Sequence, residues 1–187
     1  MSDRTFGDLP SLETPRLLLR KMTLADAVDI FEYASNPKVA QYVTWPVHQS
    51  LDDTHQFLTS VLERYAQQKT APWAIVHKNL RQAIGTCGFV NWHSAHNRAE
   101  IGYALSAKYW GCGYMTEAVC TAIDFGFREK GLHRIEGRCK LQNIASARVL
   151  EKAGMTFEGI LRQQMLKDEV YYDMKIFSIL RQEWENK

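Results

Sequence analysis

The chain has 187 residues, of which 45% are hydrophobic and 24% charged, proportions that exclude a disordered acidic chain and a fibrous repeat. Its length suits one core, so residues 1–187 are expected to form a single domain. The 23 Lys and Arg against 21 Asp and Glu leave a net charge of +2, which supplies no broad field for a nucleic-acid backbone or an anionic membrane; any anion site must be local.

In chain order, residues 1–10 mix Asp3, Arg4 and Asp8 and lack the apolar stretch of a signal peptide. No later segment approaches the roughly 20 apolar residues that cross a bilayer, so a cytoplasmic protein is expected. Residues 16–22 alternate charge with Leu as an opening strand. Thr23, with Asp26 three residues on, marks a capped helix start; the helix carries Ala27, Ile30, Phe31 and Ala34 and ends at Asn36-Pro37. A Trp45-Pro46 turn leads to a second helix signal at residues 50–53, followed by Phe57, Leu58, Val61, Leu62 and Tyr65 at helical spacing.

The period then changes. Residues 73–77, 83–92 and 99–106 are short runs with β-branched and aromatic side chains, separated by polar turns at 78–81 and 94–98, which predicts an antiparallel meander. A glycine break at 111–113 precedes a long helix whose Ala118, Val119, Ala122, Ile123 and Phe127 form one apolar stripe ending near Gly131. Residues 134–140 read as a strand, 143–153 as a short helix stopped by Gly154, and 157–166 with 170–180 as two closing strands around a turn at 167–169. The order β-α-α-β-β-β-α-β-α-β-β predicts an α/β (α+β) fold, a mixed and mostly antiparallel sheet flanked by helices.

The sharpest local signal is the strand, glycine turn and helix of residues 104–118. Glycines let a backbone approach a ligand, and the free N–H groups of a helix's first turn, at the positive end of its dipole, can hold a phosphate without basic side chains. The alternative is a glycine turn that only joins strand to helix. A Gly-Lys-Ser/Thr sequence is missing, as are a third glycine and a downstream acid, so triphosphate and dinucleotide folds are both disfavoured.

Here the sequence resembles the GNAT acyltransferase superfamily, whose acetyl-CoA signature is Gln/Arg-x-x-Gly-x-Gly/Ala between a strand and a helix. Gly113 matches the required glycine, while Trp110 and Met115 stand at the two outer positions. The rest of the chain is similar to the branch containing the ribosomal-protein N-terminal acetyltransferases, which tolerates Trp and Met there. Leu12-Glu13-Thr14-Pro15-Arg16-Leu17-Leu18-Leu19-Arg20 is similar to its opening strand and Ala99-Glu100-Ile101-Gly102-Tyr103 to its central strand. Asn143-Ile144-Ala145-Ser146 with Leu150-Glu151-Lys152-Ala153-Gly154-Met155 is similar to its second CoA-contacting helix, and Phe157-Glu158-Gly159 with Tyr172-Asp173 to its closing hairpin.

The resemblance implies acetyl-CoA as cosubstrate, no metal, and a site assembled as follows. Pantetheine pairs with exposed backbone where the central strand splays, at Leu105 and Ser106, and Gly111, Cys112, Gly113, Tyr114, Met115 and Thr116 hold the pyrophosphate. The Tyr that many members place seven residues after the helix Asn is replaced by Leu150; Ser146, three residues after Asn143, is the branch's hydroxyl for the leaving thiolate. Asn143 is a pantetheine contact or a plain N-cap. The Glu that one member type uses as base is replaced by Met165. Glu100, on one strand face with Gly102 and Ala104, is then the candidate for the amine's proton, or else a structural carboxylate paired to a neighbouring strand; Asp173 reads as packing.

Other groupings carry less. Cys87, Cys112, Cys120 and Cys139 are spaced 25, 8 and 19 apart and form no Cys-x-x-Cys pair, which fits isolated reduced thiols. His93 and His96 lack the companion ligands of a metal site. Arg128, Lys130, Arg134, Arg138 and Lys140 could meet the ribose phosphate of CoA, but Glu129 and Glu136 interrupt them and favour a solvated face. Trp45, Trp73, Trp92 and Tyr109 suit core or cleft lining, Trp45 being placed near the acceptor. The expected partner is an amine acceptor, either a peptide or protein N-terminus or a small molecule; no nucleic acid and no membrane are expected, and a homodimer is the assembly anticipated. A non-catalytic acyl-CoA sensor is the remaining alternative.

Overall fold

A computed structural model describes residues 6–186; Asp3 and Arg4, like the rest of residues 1–5, and Lys187 lie outside the described residues. The opening strand divides into β1 (Leu12–Glu13) and β2 (Leu17–Arg20), which pair antiparallel with Leu12 opposite Leu19. The Thr23 signal starts a 3-10 turn before α1 (Ala27–Ala34): the Asp26 carboxylate accepts the Thr23 N–H at 2.8 Å and is held by both arms of Arg20 at 2.8 and 2.6 Å. Asn36-Pro37 both ends α1 and begins a short α2 (Pro37–Ala40). Pro37 sits in the first turn, where its missing N–H costs nothing, and the Asn36 side chain accepts the Lys38 N–H. The sequence reading did not separate this helix. Ser50 and Asp53 cap α3 (Leu51–Ala66) reciprocally, as their spacing predicts.

The meander is β3 (Trp73–His77), β4 (Gln82–His93) and β5 (Arg98–Leu105). α4 (Tyr114–Arg128), β6 (Arg134–Lys140), α5 (Ile144–Lys152), β7 (Thr156–Lys167) and β8 (Val170–Leu180) follow, and a last helix, α6 (Arg181–Glu185), was not foreseen. One eight-stranded sheet results, in the order β1-β2-β3-β4-β5-β6-β8-β7. Among the described residues only β5 and β6 run parallel, because α4 crosses over between them.

Strand alternation divides the core between the sheet's two faces. Trp73 and Ile75 join Phe89, Ile101 and Ile135 beneath α4 and α5, whose Ala118, Val119, Ala122, Ile123 and Leu150 are buried there. Ala74 and Val76 join Ala104 beneath α1 and α3, against Ile30, Tyr33, Leu58 and Val61. Both faces of the central strands are therefore covered, which leaves the divergence of β5 from β6 as a gap within the sheet itself.

Candidate active site

The parallel pairing of β5 and β6 runs only from Arg98 opposite Arg134 to Ile101 opposite Gly137, although β5 continues to Leu105 and β6 to Lys140. Just before the divergence, β4 carries a bulge at Val90, between Phe89 and Asn91. A cleft of about 640 Å³ opens between the splayed strands, a size that suits a small-molecule site. Ser106 N–H donates to Ile84 O at 2.8 Å, so by alternation the backbone groups of Tyr103 and Leu105 face the gap. Leu105 lines the cleft; Ser106 is buried behind it, its amide already engaged and its hydroxyl 3.4 Å from Glu32. The Leu105 carbonyl accepts the Trp110 indole N–H at 2.9 Å, which folds the glycine loop back over the strand end.

Gly111 and Gly113 adopt φ of +78° and +80°, values that side chains strain to reach, and Gly113 is the N-cap of α4. Gly111, Gly113, Tyr114, Met115 and Thr116 line the cleft, whereas Cys112 turns to solvent. The loop is held from beneath by Arg16 of the residues that lead into β2: its guanidinium donates to Cys112 O at 3.0 Å, pairs with Glu117 at 2.6 Å and lies 4.3 Å from the centre of the Tyr114 ring. Burial opposes the charge on Glu117, yet hydrogen bonds from Thr14 and Arg16 hold its carboxyl below the usual range. The sequence reading missed this support of the loop by Arg16 and Glu117, because the contact joins residues 101 apart.

On the opposite wall, Asn143 caps α5 by accepting the Ser146 N–H at 3.1 Å, and both residues line the cleft. Ser146 Oγ lies 2.8 Å from Tyr103 OH of β5, and the two hydroxyls sit against buried Cys139 of β6. Burial pushes the Cys139 thiol up despite its hydrogen bond with Ser146, which keeps it protonated and a poor nucleophile. Leu150 is fully buried, with its side chain against Gly137, so position 150 belongs to the core.

Glu100 does not join this group. Its carboxylate accepts from Asn91 at 3.0 Å and pairs with Arg138 at 3.5 Å, and Arg138 is the member of that pair that lines the cleft. Glu136 lies between Arg98, Arg134 and Arg138, and Arg134 also binds Glu158, so these arginines form a half-buried network in place of the solvated face expected. Arg128 stacks near Trp184, Lys130 bonds Phe6 O, and Lys140 bonds Gln41 O at 2.7 Å. Besides Arg138, the basic residues at the cleft are Arg148 and Lys152, one turn apart on α5, a spacing that was visible in the sequence. Met165 pairs across the hairpin with Tyr172, and Asp173 accepts the Gln163 N–H at 2.8 Å. Among the described residues no cluster suits a metal, His93 and His96 included, and no helix is long and apolar enough to cross a membrane.

The remaining wall comes from Val39, Tyr42 and Val43. Two lysines clamp it: Lys140 on Gln41 O, with its ammonium 3.5 Å from the Tyr172 ring centre, and Lys167 of β7 on the carbonyls of Ala40, Val43 at 2.9 Å and Trp45 at 3.2 Å. Trp45 stands behind this wall against His48, at 5.5 Å between ring centres.

A family model described as an acetyltransferase (GNAT) domain matches residues 16–156. The uncharacterized N-acetyltransferase YoaA of Bacillus subtilis is 34% identical over 172 residues, covering 92% of this chain and 97% of that protein. Among solved structures, a GNAT-family acetyltransferase from Bacillus anthracis superposes with a TM-score of 0.83 at 28% identity, covering 92% of this chain and 99% of that one. The ribosomal-protein-S5-alanine acetyltransferase of Vibrio fischeri does so at 0.81 and 26%, covering 94% and 99%. The splayed strands, the glycine loop at the start of α4 and these similarities agree: the chain belongs to the GNAT family and is an N-acetyltransferase.

Proposed function

We propose that the enzyme transfers acetyl from acetyl-CoA to the α-amine of a peptide or protein N-terminus, by direct attack in a ternary complex. The observation that carries this reading is the charge of the cleft. Among the described residues, its charged lining consists of Arg138, Arg148 and Lys152, all cationic. With no carboxylate among them, these lining residues offer no counter-charge to an ammonium, so the cleft favours an acceptor that arrives neutral. An α-amine, with a reference pKa of about 7.7 to 8.0, is roughly a tenth or more neutral near pH 7; a Lys side chain near about 10.4 is neutral in about one molecule per few thousand, a gap of about 3.5 kcal/mol. The Vibrio fischeri neighbour, named for a ribosomal-protein alanine, supports the same acceptor class.

In this reading the pyrophosphate rests on residues 111–116 and the first turn of α4, with Arg148 and Lys152 at the rim for the ribose phosphate. Pantetheine runs along the gap-facing edge of Tyr103 and Leu105, where the Leu105 carbonyl is already held by Trp110, and this brings the thioester beside Ser146. The amine enters past Val39, Tyr42 and Val43. Its nitrogen bonds the acetyl carbon, the C–S bond breaks, and the Ser146 hydroxyl donates to the sulfur as charge develops there. Glu100, set behind Arg138, receives the amine's proton only by way of water.

Release of CoA thiol, measured over a panel of N-terminally free peptides, polyamines and other small amines, tests this. Turnover fastest with peptides is expected. Preference for a small amine would reassign the acceptor, and CoA binding without thiol release for any amine would make the protein a sensor.

A further inference from the structure

The phenol that many GNAT enzymes place on the second helix is missing here, yet a phenol stands at the same hydroxyl. Tyr103 comes from the central strand and alternates with Ile101 and Leu105 onto the α5 side of the sheet. Its OH lies 2.8 Å from Ser146 Oγ and 3.2 Å from the Ser146 carbonyl oxygen, and both residues line the cleft. Two hydroxyls this close can share their protons in two ways. If Tyr103 donates to the carbonyl, Ser146 spends its proton on the phenol oxygen; if Tyr103 donates to Ser146 Oγ, the serine proton is free for a third atom, for which the neighbouring Cys139 sulfur and the CoA sulfur compete.

We propose that Tyr103 is a positioning residue that donates to Ser146 Oγ and so turns the Ser146 proton onto the CoA sulfur, the pair acting as one hydrogen-bonded unit at the leaving thiolate. The inference rests on the CoA-dependent transfer described above. As the C–S bond breaks, its electron pair stays on sulfur; Ser146 O–H donates to that sulfur and is itself strengthened as a donor by the bond it receives from Tyr103. No proton leaves the tyrosine. Burial pushes the phenol well above its ordinary range, so Tyr103 remains a donor throughout, and the proton lost by the amine leaves through water toward Glu100. Leu150 could not serve in its place, since its side chain is packed against Gly137.

A double-mutant cycle separates this from simple packing. Tyr103→Phe is expected to lower kcat about tenfold with KM for acetyl-CoA nearly unchanged, Ser146→Ala by a similar or larger factor, and the double variant no further than Ser146→Ala alone. Equal Tyr103→Phe effects in the wild-type and Ser146→Ala backgrounds would overturn the proposal, since packing alone does not depend on the serine proton. A second measurement needs no acceptor: CoA and desulfo-CoA are titrated by calorimetry at about pH 10, where the CoA thiol, less acidic than a cysteine's at about 8.5, is largely ionised. Wild type should prefer CoA by about tenfold, and Tyr103→Phe and Ser146→Ala should lose that preference. A preference unchanged in Tyr103→Phe would overturn the proposal even if transfer is confirmed. A preference lost in both variants would sustain it even if every amine fails and the transfer reading falls.

Discussion

The half of the cleft proposed to hold CoA is made largely of backbone: Gly111 and Gly113 at positive φ, the first turn of α4 and the gap-facing edge of β5. The acceptor half is made of side chains that reach across the fold, with Lys140 on Gln41 and Lys167 on the carbonyls of Ala40, Val43 and Trp45. Backbone donors at a helix start select for charge and fix a common cosubstrate in one pose. A wall stapled by long side chains can be reshaped by a few substitutions without disturbing the donor site. In the proposed reading, the difference separates what this enzyme shares with its family from what sets its acceptor.

The comparison breaks most visibly if the backbone half is spoiled. Gly113→Asp would force a side chain into φ of +80° beside Arg16, and would set a negative charge where the pyrophosphate is expected. CoA affinity, by calorimetry, should fall by about a hundredfold or more, while the thermal midpoint falls by only a few degrees, roughly the cost of one strained residue. Binding as tight as wild type would remove the loop from the CoA site.

A smaller and more selective effect is expected from the acceptor half. Lys167→Met removes the clamp from three carbonyls on the 40–45 segment and should raise the acceptor KM by about tenfold, with CoA affinity within about twofold. If CoA binding suffers as much as acceptor binding, the two halves are not separable in this way.

These unequal effects match how much of each half was legible in the sequence. The glycine break, the Asn143 cap and the Ser50–Asp53 cap are contacts between near neighbours, and residue type and spacing suffice to find them. Arg16 on the glycine loop, Tyr103 on Ser146 and Lys167 on the wall join segments 96, 43 and 122 to 127 residues apart, and only the folded sheet brings them together. Glu100 shows the same limit from the other side: strand alternation gave its face, but its pairing with Arg138 depends on the register of β5 against β6. α2 was missed because Pro37 reads equally well as the end of one helix and the first turn of another.

The smallest effect concerns the sheet beyond the cleft. A hydrogen bond from Arg134, opposed by burial and aided by Ser178, holds the Glu158 carboxyl down at about 2, from an ordinary 4.5. A depressed carboxyl contributes stability that is present above about pH 4.5 and lost as pH falls toward about 2. Glu158 is partly exposed, so Glu158→Gln should lower the thermal midpoint by only about 2 °C at pH 7, with the difference narrowing between pH 5 and pH 3. Calorimetric scans of both proteins at these pH values would show it, and a constant difference would mean the carboxylate's charge is not what stabilises the hairpin.

The acceptor assignment is tested most directly by competition. Two peptides of matched sequence, one with a free N-terminus and no Lys, the other N-terminally blocked with a single Lys, are offered together with acetyl-CoA, and the products are located by mass spectrometry. A cleft whose lining, among the described residues, carries no carboxylate to hold an ammonium predicts acetylation at the free α-amine. Preferential acetylation of the Lys side chain would contradict the account.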